Sequence, residues 1–249
     1  MLTSLSQPVI FAHRGASAHA PENTLAAFEL ACSQGADAVE LDAKLSADGH
    51  VIVIHDATVN RTTGAHGRVK EMALADLRAL DAGSFFSNKF GGEKIPLLEE
   101  VFETVGRRLF INVELTNYNS PRDHLVESVC MLVRKFNFQG QVMFSSFFAS
   151  NLAKAVGYLP EVSCGLLALP GILGAWARSF GFAFGSYAAL HPNLKDATAQ
   201  QVQRAHRLKR RLHVWTVNAE EDMRRLFGWG VDGIFTDDPL AALRVRDGQ

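Results

Sequence analysis

The stretch AVELDAKLSADGHVIVIHD (Ala38–Asp56) contains two apolar runs, Ala38–Leu45 and Val51–His55, with SADG (Ser46–Gly49) between them. That link is too short for the crossover between parallel strands and suits a hairpin, so the second run is expected antiparallel to the first. Both runs carry groups that a buried strand normally lacks. Glu40 and Asp42 are two residues apart and face the same way, and pairing Leu45 with His50 places His55 opposite Glu40 on that face. Unpaired buried charge is costly, so three polar groups converging in a strand pair imply a function that offsets the cost.

Outward from the hairpin, Val9–His13, Phe110–Leu115, Val142–Ser146, Val162–Leu167, Ser186–Leu190, Leu212–Val217 and Gly233–Thr236 read as further strands. Helical patterns alternate with them. In NTLAAFELACSQG (Asn23–Gly35), Asn23 can cap the start and Gly35 the end; Pro121–Phe136, Asn151–Tyr158, Asp196–Arg210 and Ala219–Trp229 are similar. The rhythm indicates an α/β chain. A TIM-type (β/α)8 barrel needs about 250 residues, and the chain has 249. The rival, an open doubly wound sheet that binds a nucleotide, lacks its glycine-rich loop after the first strand. Nine strands are one too many for an eightfold barrel, and the antiparallel hairpin strand is the extra one. Residues 57–108 break the rhythm with turn-rich NRTTGAHG and LDAGSFFSNKFGGEKIP, so residues 1–249 are expected to form a single barrel domain with a small inserted lobe there.

A formal net charge of −1, from 25 basic and 26 acidic residues, gives no electrostatic reason for a nucleic-acid partner. No run reaches the roughly 18 apolar residues of an integral membrane segment. The nearest, LLALPGILGAWA from Leu166, is broken by Pro170, Gly171 and Gly174. The start, MLTSLSQPVIFAHRG, lacks the basic and long apolar regions of a secretion signal. Cys32, Cys130 and Cys164 are odd in number and widely spaced, so a cytoplasmic protein with free thiols is expected. Oligomeric state stays open.

Four strand ends are polar: AHRG (Ala12–Gly15), ELD (Glu40–Asp42), HD (His55–Asp56) and NVEL (Asn112–Leu115). In a barrel these ends share one mouth. Glu40, Asp42 and Glu114 would repel one another there, and one divalent cation removes the repulsion; oxygen-only ligation favours Mg²⁺, Ca²⁺ or Mn²⁺ over zinc. Lysines or arginines at the rim are the plainer way to neutralise them. His13 and His55 beside such an ion suit a displacement at phosphorus, one removing a proton from the attacking oxygen and the other protonating the departing alkoxide. Arg14 adds a fork for phosphate oxygens. His66, His124 and His206 read as ordinary core or rim histidines, and His191, in LHP, stays unassigned.

In order and spacing, HRG, PENT (Pro21–Thr24), ELDAKLSADG, HD, TTG, LDAG, IPLLEEV, NVEL, WTVN (Trp215–Asn218) and GVDGIFTDDP (Gly230–Pro239) resemble the glycerophosphodiester phosphodiesterase family. The resemblance covers nearly the whole chain and is greatest to the short bacterial cytoplasmic members. It implies a barrel with a small insert, one divalent cation, and metal-dependent hydrolysis of a small-molecule glycerophosphodiester to glycerol 3-phosphate and an alcohol. Position by position it implies Glu40, Asp42 and Glu114 as metal ligands, His13 and His55 as the acid–base pair, and Arg14 as a phosphate contact. Trp215 would line the cleft, or else be a packed indole with a satisfied N–H. PENT reads as a helix cap through Asn23 or Thr24, and Asp237 could reach the mouth without an assigned role.

Many members carry a phosphate-binding lysine two residues after the third carboxylate, where this chain has Thr116. Thr116 shares a face with Glu114 as a neutral substrate-binding donor, and Thr116→Lys is expected to tighten binding. FSSFF (Phe144–Phe148) and LPGILGAWARSFGFAFGSY (Leu169–Tyr187) are expected to pack in the core, the alternative being an apolar rim for a lipid-like substrate. Two other functions fit the same residues: a lysophospholipase D-like hydrolase of lysolipids, and a noncatalytic phosphodiester-binding barrel.

Overall fold

The computed structural model describes Leu2 and residues 5–248. Among the described residues, branched and aromatic side chains build nine strands: β1 (Val9–His13), β2 (Ala38–Leu45), β3 (Val51–Val53), β4 (Phe110–Leu115), β5 (Val142–Ser146), β6 (Ser163–Ala168), β7 (Ala189–Pro192), β8 (Arg211–Val214) and β9 (Gly233–Thr236). Eight run parallel in the order β1, β2, β4, β5, β6, β7, β8, β9, and β1 is bonded to both β2 and β9, which closes the barrel. β3 is the extra strand, antiparallel to β2 and outside the ring.

The hairpin register differs by one residue from the expected pairing. Leu45 pairs with Val51 and Ala43 with Val53. Ser46 causes the shift: its N–H donates to the His50 carbonyl, and its hydroxyl accepts the His50 N–H, both at 3.0 Å. The link is therefore Ser46–His50, and one residue of slip reverses the face of everything paired beyond it. β3 stops at Val53, so His55 lies past the ladder rather than opposite Glu40. β6 and β7 also begin later than the sequence pattern suggests, and β8 ends at Val214, followed by a single bridge from Trp215 to Asn193.

Side chains alternate along each strand between the lumen and the surrounding helices. Val9, Phe11, Ala38, Phe110, Met143 and Phe235 fill the lumen, while Ile10, Val39, Leu41, Ile111 and Val113 face outward. The outer layer comprises helices Leu25–Ser33, Leu98–Val105, Leu125–Lys135, Ala149–Tyr158, Ala199–Arg207, Glu220–Gly228 and Pro239–Asp247. Fully burying a side chain such as Phe28 or Leu98 in the layer between strands and helices contributes roughly 2–3 kcal/mol. Thr24, not Asn23, caps the first helix by accepting the Ala27 N–H at 3.3 Å. Between β3 and β4, Ile54, Val59, Val69, Leu77, Ala82 and Ile95 form a separate small cluster with Ile52. Helix Leu98–Val105 returns to the barrel core.

His191 of β7 does not line the mouth. It is fully buried in the lumen, 3.2 Å from His213 of β8, and packs where an added Cβ on Gly165 of β6 would stand only 2.4 Å from its ring. Burial holds His191 at about 3 and drives His213 well below the usual histidine range, so both are neutral. Cys130 and Cys164 are buried free thiols pushed up to about 12 by burial. Among the described residues no helix is long and apolar enough to cross a membrane.

Candidate active site

Strand register assembles the centre. β1 against β2 sets His13 beside Glu40, and β2 against β4 sets Asp42 beside Glu114. All four belong to the inward-facing alternation that begins with Val9, Ala38 and Phe110 deeper in the lumen. Just past β1, Arg14 takes a left-handed backbone (φ 57°), and its N–H donates to Glu40 Oε2 at 3.0 Å. Gly15 (φ +85°) completes that turn against Ala27, where an added Cβ would lie 2.6 Å from the Ala27 side chain.

Glu40, Asp42 and Glu114 can each offer an oxygen such that all three lie within 4.8 Å of one another. Two ligands about 2.4 Å from one hard cation are at most about 5 Å apart, so the spacing suits a shared ion. Burial, then the charges of Asp42 and Glu114, raise the Glu40 carboxyl well above its ordinary range, and burial with Asp42 pushes Glu114 up to about 8. Burial acts on Asp42 too, but the charges of Arg14 and His55 and the amide of Asn23 outweigh it and hold Asp42 low. Three oxygen donors that repel one another without a counter-ion could hold a divalent metal. Asn23 explains part of PENT: its left-handed backbone turns the side chain to Asp42 Oδ2 at 2.8 Å.

Each histidine has a carboxylate behind it. His13 Nδ1 is 2.7 Å from Asp237 Oδ1, and Ser17 and Asn218 donate to the same carboxylate at 3.1 and 2.6 Å. His55 Nδ1 is 2.7 Å from Asp56 Oδ1. Arg61, then His55, overcome burial to bring Asp56 down to about 2. Ionised carboxylates only accept, so both Nδ1 atoms carry hydrogen and each Nε2 remains available. An alternating chain of charge joins the two halves: Asp42 to Arg14 (3.5 Å), Arg14 to Glu22 (2.9 Å), Glu22 to Arg61 (2.6 Å), and Arg61 to Asp56 (2.8 Å).

His13, Arg14, Glu40, His55, Glu114 and Trp215 line one inner cavity of about 70 Å³. Trp215 both lines it and satisfies its indole N–H on the His191 carbonyl at 2.8 Å. His55 and Glu114 also border a wider outer cavity of about 610 Å³, walled by Phe147, Phe148 and Leu169 and reached by Lys44. Thr116 is not the free donor expected of it. Its hydroxyl donates to the Ala43 carbonyl at 2.7 Å and accepts from Lys44 Nζ at 2.8 Å, so its proton is committed inside the fold. Lys44, opposite Thr116 across the β2–β4 seam, brings an ammonium to this spot. Tyr118 donates to Glu114 Oε1 at 2.8 Å.

Reading the residues alone left Asp237, Lys44, Tyr118, Arg61 and Glu22 without roles. For Lys44 the signal was present: it follows Asp42 by two residues, on the same face of its strand.

The family model for glycerophosphoryl diester phosphodiesterases matches residues 13–241. A glycerophosphodiester phosphodiesterase of Caldanaerobacter subterraneus subsp. tengcongensis is 40% identical over 242 residues, covering 96% of this chain and 98% of its own. Another, of Bacillus altitudinis, is 37% identical over 247 residues, covering 96% of this chain and 98% of its own. A phosphodiesterase of Oleispira antarctica, solved in complex with the product sn-glycerol-3-phosphate, has the same fold with a TM-score of 0.90, 31% identity and 98% coverage of both chains. Sequence agreement across the barrel, together with the polar mouth it builds, establishes that this chain belongs to the glycerophosphoryl diester phosphodiesterase family.

Proposed function

We propose that the protein hydrolyses glycerophosphodiesters to glycerol 3-phosphate and an alcohol, with His13 and His55 exchanging the protons. The observation that carries this reading is the pair of imidazoles, each fixed by a carboxylate at Nδ1, lining one cavity whose floor is Glu40 and Glu114. One Nε2 takes a proton from the attacking oxygen, that of water directly or of a neighbouring substrate hydroxyl whose cyclic phosphate water then opens, as it bonds to phosphorus; the other Nε2 gives a proton to the alcohol oxygen as the P–O bond to that alcohol breaks. Asp237 and Asp56 stabilise whichever imidazole is positively charged. Glu40, Asp42 and Glu114 would hold one divalent cation, Mg²⁺, Ca²⁺ or Mn²⁺, which supplies Lewis-acid polarisation of a nonbridging phosphate oxygen when bound. Arg14 and Lys44 bring positive charge toward the phosphate, and Trp215 forms an apolar wall for the glycerol side.

The Oleispira antarctica relative, crystallised with glycerol 3-phosphate, supports this choice of product. A second substrate class, lysolipids, is favoured by the apolar outer wall of Phe147, Phe148 and Leu169. A noncatalytic binding role leaves both carboxylate-backed histidines unexplained. The test is release of glycerol 3-phosphate from glycerophosphoethanolamine, and of acylglycerol 3-phosphate from a long-chain lysophospholipid, by wild type, His13→Ala and His55→Ala. Loss of at least a hundredfold in each variant is expected, since one acid–base group contributes about 10²–10⁴. Unchanged release in either variant would overturn the assignment.

A further inference from the structure

The crossover from β6 to β7 carries a face used by neither the barrel nor the cavity. Residues 171–184 form one helical run, a 3₁₀ turn at the start and a π segment over Ala177–Gly181. Its inner side is built from small residues: Gly174, Ala177 and Gly181 are buried, with Phe182 as the anchor. The outer side is Ile172 (86% exposed), Trp176 (56%), Phe180 (68%) and Phe184 (84%), four residues apart, with Leu173 (77%) beside them. The expectation of core packing fails for these five, because the small side of the run is the one that approaches the strands. A soluble helix normally presents polar side chains outward, and a contiguous apolar stripe marks a contact surface.

Charge indicates what that contact is. The strand order places helix Ala149–Tyr158, the 171–184 run and helix Ala199–Arg207 side by side on the outer wall. Arg204 Nη2 also reaches the Ser179 carbonyl at 3.3 Å. These three elements contain Lys154, Arg178, Arg204 and Arg207 and no Asp or Glu. Arg178 is paired with Asp196 at 3.2 Å, while Lys154, Arg204 and Arg207 are exposed on the flanking helices. An apolar, aromatic stripe between exposed cations matches a helix lying in the interface of an anionic bilayer. A second copy of the chain fits worse: a twofold contact would oppose like cations, and the carboxylate beside the run, Asp196, is already held by Arg178. The stripe also begins beside the mouth, since Leu169, just before the run, lines the outer cavity.

We propose that the 171–184 run docks the protein on an anionic lipid surface, with Ile172, Trp176, Phe180 and Phe184 entering the headgroup boundary and Lys154, Arg204 and Arg207 meeting the lipid charge. The docked molecule presents the rim of its outer cavity to the lipid. Cosedimentation with vesicles of phosphatidylglycerol and phosphatidylcholine, against vesicles of phosphatidylcholine alone, tests this directly. Binding to the anionic vesicles is expected at low salt, weakened about tenfold or more by 0.5 M salt or by removing the anionic lipid. Phe180→Ser/Phe184→Ser and Arg204→Glu/Arg207→Glu should each lose binding about tenfold while keeping the wild-type melting temperature. Absence of sedimentation, or sedimentation unaffected by both double variants, overturns the proposal. So does light scattering that finds a stable wild-type dimer dispersed by the Phe180→Ser/Phe184→Ser change.

Discussion

Glu114→Gln should make the metal-free protein more stable while disabling it. Burial and the charge of Asp42 push the Glu114 carboxyl up to about 8 from 4.5. Each unit is about 1.4 kcal/mol, so at pH 7, where the unfolded carboxyl ionises and the folded one still holds its proton, the raised value costs the metal-free fold about 3 kcal/mol, reduced somewhat by water in the cavity. Gln ionises in neither the folded nor the unfolded chain and keeps an oxygen for the Tyr118 hydroxyl that now donates at 2.8 Å. Because the folded carboxyl keeps its proton to higher pH than the unfolded one, its contribution to stability is full below pH 4.5 and is lost as pH rises toward 8. Urea unfolding in chelator, followed by circular dichroism at pH 4.5, 7 and 8, reads the effect. The variant should exceed wild type by about 2–3 kcal/mol at pH 7 and match it near pH 4.5. Millimolar Mg²⁺ or Ca²⁺ should stabilise wild type and not the variant, since only an ion bound to the folded state shifts the equilibrium. A variant that is less stable than wild type in chelator at pH 7, or a difference independent of pH, would mean that the Glu114 carboxyl is not held protonated by its surroundings.

Two other outcomes follow from buried groups. His191 is held neutral at about 3 against an ordinary 6.5, so stability from this site is intact above pH 6.5 and falls as acid protonates the unfolded chain first. The loss at pH 5 is about 2 kcal/mol, and the same urea series on His191→Gln should lack it; equal acid sensitivity in both proteins would count against the buried pair. Lys44→Met should lower kcat/KM for glycerophosphodiesters about tenfold by removing a charged phosphate partner. Thr116→Lys alone should then change little, because Lys44 already occupies the spot, but it should restore activity in the Lys44→Met background. Steady-state kinetics on the three variants decides, and tighter binding from Thr116→Lys alone would contradict the compensation.

The parts of the site visible in the sequence are those governed by local alternation. Glu40 and Asp42 share a face because they are two apart, and Glu114 and His13 occupy corresponding ends of strands that closure brings together. The extra hairpin strand was legible for the same reason, as a short link between two apolar runs. Its register was not, because Ser46 inserts one more residue into the turn through its own side-chain bonds. His13 and Asp237 are 224 residues apart and meet only when β9 closes on β1, so no spacing announces the pair. The compensation between Lys44 and Thr116 depends on the β2–β4 register. The exposed stripe from Ile172 to Phe184 looked like core because composition says nothing about which side of a helix is lined with glycine and alanine.

In the proposed reaction Glu40, Asp42 and Glu114 hold a cation that phosphodiester cleavage needs. Turnover of glycerophosphoethanolamine by chelator-treated, dialysed protein, before and after one divalent metal at a time is returned, measures that need most directly. Negligible glycerol 3-phosphate is expected after stripping, with recovery on adding Mg²⁺, Ca²⁺ or Mn²⁺ and no recovery in Asp42→Asn. Full activity in the stripped protein, or metal-restored activity in Asp42→Asn equal to wild type, would contradict it.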